Sequence, residues 1–195
     1  MSLPELARVL SEVPPGVVEA ATRLACTGVA LVDVALATPP KLGAHWFYVY
    51  DADMITSRCS QPHLLSERTV PQGRGSIQAE VYWSERRPLP LPPDELSDRV
   101  IDELKTMGVL DGVEVLWSRV RLVPYANVIF DHRRSDAVRT IRRWVEDVAG
   151  IRLAGRCGVW EYLWTNGAVR SGWDAADGVL ATAPGRESGS LTAEP

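Results

Sequence analysis

Lysine is nearly missing from this 195-residue chain: only Lys41 and Lys105 stand among 21 basic residues, so arginine carries most of its positive charge. With 25 acidic residues the formal net charge is −4, which argues against nucleic acid or an anionic membrane as the main partner. Cysteine is scarce too. Cys26, Cys59 and Cys157 are odd in number and form no C-x-x-C, so neither a zinc site nor a disulfide framework is expected and the thiols read as reduced, in a cytoplasmic protein. His45, His63 and His132 share no metal-ligand spacing, so no metal is expected. The chain has no G-x-S-x-G elbow and no G-x-G-x-x-G turn. Its longest apolar run, Val29 to Leu36, holds Asp33 and is too short to span a bilayer. Glu5, Arg8 and Glu12 at helical intervals make the N-terminus unlike a signal peptide.

What is present is ordinary for a globular protein: 46% hydrophobic and 24% charged residues. Helices are predicted over Pro4–Leu10 and Val17–Leu24. Val29–Leu36 reads as a strand buried on both faces. His45–Tyr50 and Met54–Ser60 read as strands around a turn at Asp51-Ala52-Asp53. Ile77, Ala79, Val81 and Trp83 alternate with Gln78, Glu80 and Tyr82, the pattern of a half-buried strand. Asp94–Met107 is predicted as a helix stopped by Gly108, and Val113–Leu122 as a further strand. A helix capped by Ser135 and ended by Gly150 leads into a short strand, Ile151–Gly155, and Ser171–Ala181 is the last helix. The fold class expected is α+β: a mainly antiparallel sheet with crossover helices, followed by a strand–loop–helix piece. Residues 1–148 read as one domain, 149–182 as a C-terminal segment and 183–195 as a disordered tail.

Ser171-Gly172 at a helix start would offer unpaired N–H groups and the positive end of a dipole to a phosphate. Plain helix capping explains the same pair. In the arginine cluster Arg133, Arg134, Arg139, Arg142 and Arg143, Arg142 stands at i,i+4 from Glu146 and Arg143 at i,i+4 from Asp147, which marks a solvated face. Tyr125, Asn127 and Asp131 follow a bend at Pro124 and either line a pocket or bond local backbone.

Five stretches carry a resemblance. Gly155-Arg156-Cys157-Gly158-Val159-Trp160-Glu161-Tyr162-Leu163-Trp164, with Arg170-Ser171-Gly172-Trp173-Asp174-Ala175-Ala176, resembles the C-terminal flavin-contacting segment of flavin-containing amine oxidases, protoporphyrinogen oxidases and UDP-galactopyranose mutases. Phe47–Asp51, Gly75–Val81 and Pro124–Asp131 look like the substrate-domain half of the same enzymes. The resemblance covers residues 3 to 181. It implies FAD, contacted by Gly155, Arg156, Gly158, Trp160, Tyr162, Leu163, Trp164, Ser171 and Gly172, and a small-molecule substrate held by Tyr48, Tyr125 and Asn127. It also implies a part of an FAD-dependent oxidoreductase, weak in FAD on its own, because the G-x-G-x-x-G strand that grips the dinucleotide is not in this sequence. A flavin-domain polypeptide or a second copy of the chain is the expected partner. Many amine oxidases place a lysine where Thr27 and Gly28 stand here, which leaves open a redox-inactive pocket protein, a cyclase-like accessory or a truncated, non-functional product.

Overall fold

The computed structural model describes residues 1–182. Along the chain run α1 (Leu3–Val9), α2 (Pro15–Thr22), β1 (Cys26–Leu36), β2 (Trp46–Tyr48), β3 (Arg58–Ser60), α3 (Pro62–Leu65), β4 (Gly75–Trp83), α4 (Leu96–Thr106), β5 (Val115–Val128), α5 (Arg134–Arg143), α6 (Gly155–Val159) and α7 (Thr165–Thr182). The chain divides into two compact units, Cys26–Asn127 and Met1–Ala25 with the residues from Val128 on. That division falls elsewhere than the boundary at residue 148 expected from the sequence. The expected tail, 183–195, lies outside the described residues.

The unit Cys26–Asn127 is a five-stranded sheet in the order β2-β3-β4-β1-β5. β1 pairs antiparallel with β4 over Gly28–Leu36, and β2–β3 and β3–β4 are antiparallel as well. At one end Thr27 meets Asn127 and at the other Ala37 meets Glu114, so β5 also runs against β1. The α+β, antiparallel architecture is therefore as expected. Val32, Val34, Leu36, Ile77, Ala79 and Val81 point to one face and are buried under Leu96, Val100 and Leu104 of α4. Helix α4 ends where Gly108 takes φ +71°, a left-handed position that glycine adopts without a Cβ clash.

Two strand readings change here. Val29–Leu36 is not buried on both faces: from Ala30 onward burial alternates, leaving Leu31, Asp33 and Ala35 half-buried. With a helix on one side only, period-two patterning is what the sheet requires. Pro124 does not end or bend β5 away from the sheet, because the strand is at the edge and among the described residues one side of its backbone has no neighbouring strand to miss the absent N–H.

The other unit is helical. Ser2 and Glu5 form a reciprocal capping box on α1, with Ser2 N donating to Glu5 Oε2 at 3.0 Å. Helix α5 is capped not by Ser135 but by Asp131, whose Oδ1 accepts from the backbone N–H of Arg133 and of Arg134, each at 3.0 Å. A π-turn, Trp144–Val148, continues α5, and Gly150 at φ +67° closes it. Ile151–Gly155 forms no strand: among the described residues no neighbouring strand lies there to pair with it, and an unpaired edge has no hydrogen-bond ladder. The final helix begins at Thr165, six residues before the expected start.

Candidate functional site

The open face of the sheet carries polar side chains from the positions that alternate with the core. Tyr48, Arg58 and Glu80 are register partners across β2, β3 and β4. Arg58 donates to Glu80 and to the Tyr48 hydroxyl, and Tyr82 donates to Glu80 Oε2 at 2.7 Å. The Asn127 amide in turn bonds the Tyr82 oxygen. A continuous row, Tyr48–Arg58–Glu80–Tyr82–Asn127, thus crosses the face. One step along, Asp33 accepts from Gln78 Nε2 at 2.7 Å and from Arg121 Nε at 3.0 Å. Burial, together with the bond it donates to Glu80 and the charge there, pushes the Tyr82 phenol up to about 12.

Of the expected substrate residues, Tyr48 and Asn127 therefore share one network, and Tyr125 sits on β5 two residues from Asn127. Arg58, Glu80 and Tyr82 were not singled out from sequence. The signal was present, since Gln78, Glu80 and Tyr82 are the polar half of an alternating strand, but nothing in one strand shows which residues its neighbours place opposite.

In the helical unit, α6 and α7 pack together and carry the stretch expected to meet a flavin. Gly155 N donates to Ser171 Oγ at 2.9 Å, and Ser171 Oγ donates to Ala168 O at 2.7 Å. Arg156 Nε donates to Leu163 O at 2.9 Å, and its guanidinium lies 4.4 Å from the Tyr162 ring centroid. Tyr162 and Trp164 meet edge to face at 6.3 Å, and both are exposed. Trp160 is different. It takes a left-handed φ of +56°, is 1% exposed, and its carbonyl accepts from Arg134, so its ring fills the core instead of an open wall. A cavity of about 530 Å³ is bounded by Leu163, Gly167, Arg170, Ser171, Arg152 and Glu161, among others.

The helix start is where the reading of Ser171-Gly172 is corrected. Both lie in the middle of α7, where helical N–H groups are spent on the preceding turn, and the Ser171 hydroxyl clips α6 to α7. The N–H groups without an intrahelical acceptor are those of Thr165, Asn166 and Gly167. The surface fits one face of an aromatic ring: Tyr162 and Trp164 are exposed, and a Cβ at Gly158 would meet nothing within 4 Å. It does not supply a pyrophosphate cradle at Ser171-Gly172. Among the described residues no group of three His, Cys, Asp or Glu side chains could hold a metal ion, and no helix is long and apolar enough to cross a membrane.

Comparison with known proteins places this geometry. The chain superposes on reduced UDP-galactopyranose mutase with a TM-score of 0.81 at 17% identity, over 94% of this chain and 40% of the mutase. It superposes on an Exiguobacterium sp. 255-15 structure described as a protoporphyrinogen oxidase with a TM-score of 0.68 at 15% identity, over 93% of this chain and 40% of that one. The chain thus spans about two fifths of either structure, and at these identities the likeness is one of fold. No curated protein sequence matches it. The sequence model of the flavin containing amine oxidoreductases matches residues 1–180, and the chain belongs to that family.

Proposed function

We propose that this chain forms the substrate-binding face and one wall of the flavin site of an FAD-dependent oxidoreductase, with the G-x-G-x-x-G strand contributed by a segment outside this sequence. The observation that carries the reading is the Tyr48–Arg58–Glu80–Tyr82–Asn127 row, a satisfied polar network on the open face of a sheet in a chain of this family. FAD, when bound, supplies an acceptor for a hydride leaving a C–N or C–C bond. The residues of this chain hold and orient. Arg58, anchored on Glu80, presents a fixed cation; Tyr48 and Asn127 flank it with groups that donate and accept. Tyr162, Leu163 and Trp164 offer an apolar wall, with Arg156 stacked behind Tyr162. Ser171 and Gly155 hold α6 against α7 and support that wall.

The test is flavin retention. The purified chain, alone and mixed with a polypeptide bearing the dinucleotide fingerprint, is incubated with FAD, desalted and read for flavin absorbance. Weak retention alone and stoichiometric retention in the mixture are expected; no flavin in either sinks the proposal.

One observation favours a second reading, a redox-inactive pocket protein. Of Thr27 and Gly28, which stand where many amine oxidases carry a lysine, Gly28 lies so close to Trp83 that an added Cβ would sit 2.2 Å from the indole. A longer side chain at Gly28 would have to displace that ring. A flavoprotein mixture that retains FAD yet is not reduced by any amine tried would select this alternative.

A further inference from the structure

A second cavity, of about 320 Å³, opens on the same sheet face, two residues along each strand from the Glu80 row. Its floor is Asp33, Ala35, Ser76 and Gln78 of β1 and β4; Leu116 and Trp117 of β5 form one wall, and Pro62 with Thr69–Pro71 and Arg74 form the other. The size is at the lower end of small-molecule sites, and the lining is mainly apolar with a few convergent polar groups.

The charges decide what it takes. Asp33 is already neutralised: Arg121 meets it with two nitrogens, at 3.0 and 3.4 Å, and Gln78 adds an amide at 2.7 Å. Arg74 is not. Its Nη1 donates to the Ala37 carbonyl at 3.1 Å, and no carboxylate among the described residues pairs with it. That one bond steadies the guanidinium and leaves its other N–H groups to face a ligand. An apolar pocket edged by a cation without a counter-ion selects an apolar body bearing one anionic group.

We propose that this cavity binds an apolar monocarboxylate, with its hydrocarbon part between Trp117, Leu116 and Val70 and its carboxylate on Arg74. All of its walls lie within Cys26–Asn127, so the proposal does not rest on the flavin reading and is measured without FAD.

The test titrates the purified chain by calorimetry with three probes of one shape: 1-naphthoate, 1-naphthalenemethanol and 1-naphthylmethylamine. Naphthoate is expected to bind at least tenfold more tightly than the alcohol, with the amine weakest. Arg74→Gln should erase the preference for the acid while leaving the alcohol unchanged. Ala35→Leu, which fills the floor, should abolish binding of all three; circular dichroism confirms that each variant is folded. Equal affinity for acid and alcohol, tighter binding of the amine, or an unaltered preference in Arg74→Gln would each overturn the proposal. Loss of naphthoate binding leaves FAD retention untouched, so the two readings fail separately.

Discussion

Tyr82 holds its proton unusually firmly, and the consequence is measurable at high pH. Its phenol is raised from an ordinary 10 to about 12 by burial and by the hydrogen bond it donates to Glu80. A raised folded pKa means that the folded state binds the proton more tightly than the unfolded chain does. The resulting stability is whole below pH 10 and is lost as pH climbs toward 12. In an ultraviolet titration of tyrosinate, one tyrosine of the five should ionise late, and Tyr82→Phe should remove that step alone; five unresolved steps near the ordinary value would refute it. Glu103 shows the opposite sign. Burial alone would raise its carboxyl, but hydrogen bonds from the backbone N–H of Ile55 and Thr56 at 2.8 and 3.0 Å, and from Arg99 Nε at 2.8 Å, together hold it below its usual value. That stability is present above the ordinary carboxylate range and fades as pH falls beneath it. Glu103→Gln should cost about 1.5–3 kcal/mol at neutral pH, the worth of bonds to a charged group, and should flatten the acid limb of a urea-midpoint profile. An unchanged midpoint would show that the carboxylate is dispensable.

At the scale of elements, backbone approach matters more than propensity. On β1, Gly28 lets the Trp83 ring lie against the backbone: a Cβ there would come 2.2 Å from Cζ2 and 2.3 Å from Cε2. Gly28→Ala should therefore displace Trp83, which packs on the sheet core, at a cost of about 1–3 kcal/mol from overpacking. Thermal unfolding of Gly28→Ala beside Gly16→Ala, whose added Cβ meets nothing within 4 Å, separates this from a general effect of glycine; equal shifts would deny the contact. The same logic explains what the sequence made legible. β4 and α4 were readable because alternation and a 3.6-residue stripe both answer to one buried face. Tyr48 and Asn127 were reachable as candidates, but the row joining them depends on strand order, which no single strand encodes. Helix α7 was misplaced because Gly167 and Gly172 look like breakers and Ser171 looks like a cap. In the folded chain the Ser171 hydroxyl bonds back to Ala168 O, three residues earlier, a local bond a helix interior also permits. Ile151–Gly155 has strand-like residues at its start, yet a strand needs a neighbour.

For the whole molecule, the division at Ala25/Cys26 and Asn127/Val128 has a physical basis. The segment Cys26–Asn127 is continuous, and its hydrophobic core draws on no residue outside it. Its two ends lie side by side: Asn127 N donates to Thr27 Oγ1 at 3.2 Å, and just beyond, Ile129 N donates to Ala25 O at 2.9 Å. Adjacent ends are what tolerate the insertion or excision of a domain, since joining or freeing them strains nothing. Residues 26–127 expressed alone should therefore fold in one cooperative transition. Cys59 reports on the outcome. It is fully buried, and burial with the nearby Glu80 and Glu103 charges pushes its thiol from 9 up to about 12, so it is neither accessible nor ionised at neutral pH. In the excised segment Cys26 should react with a disulfide reagent while Cys59 waits for denaturant. Rapid labelling of both thiols in native buffer would mean that the sheet draws its stability from residues the contacts assign elsewhere, and that the two units are one folding body.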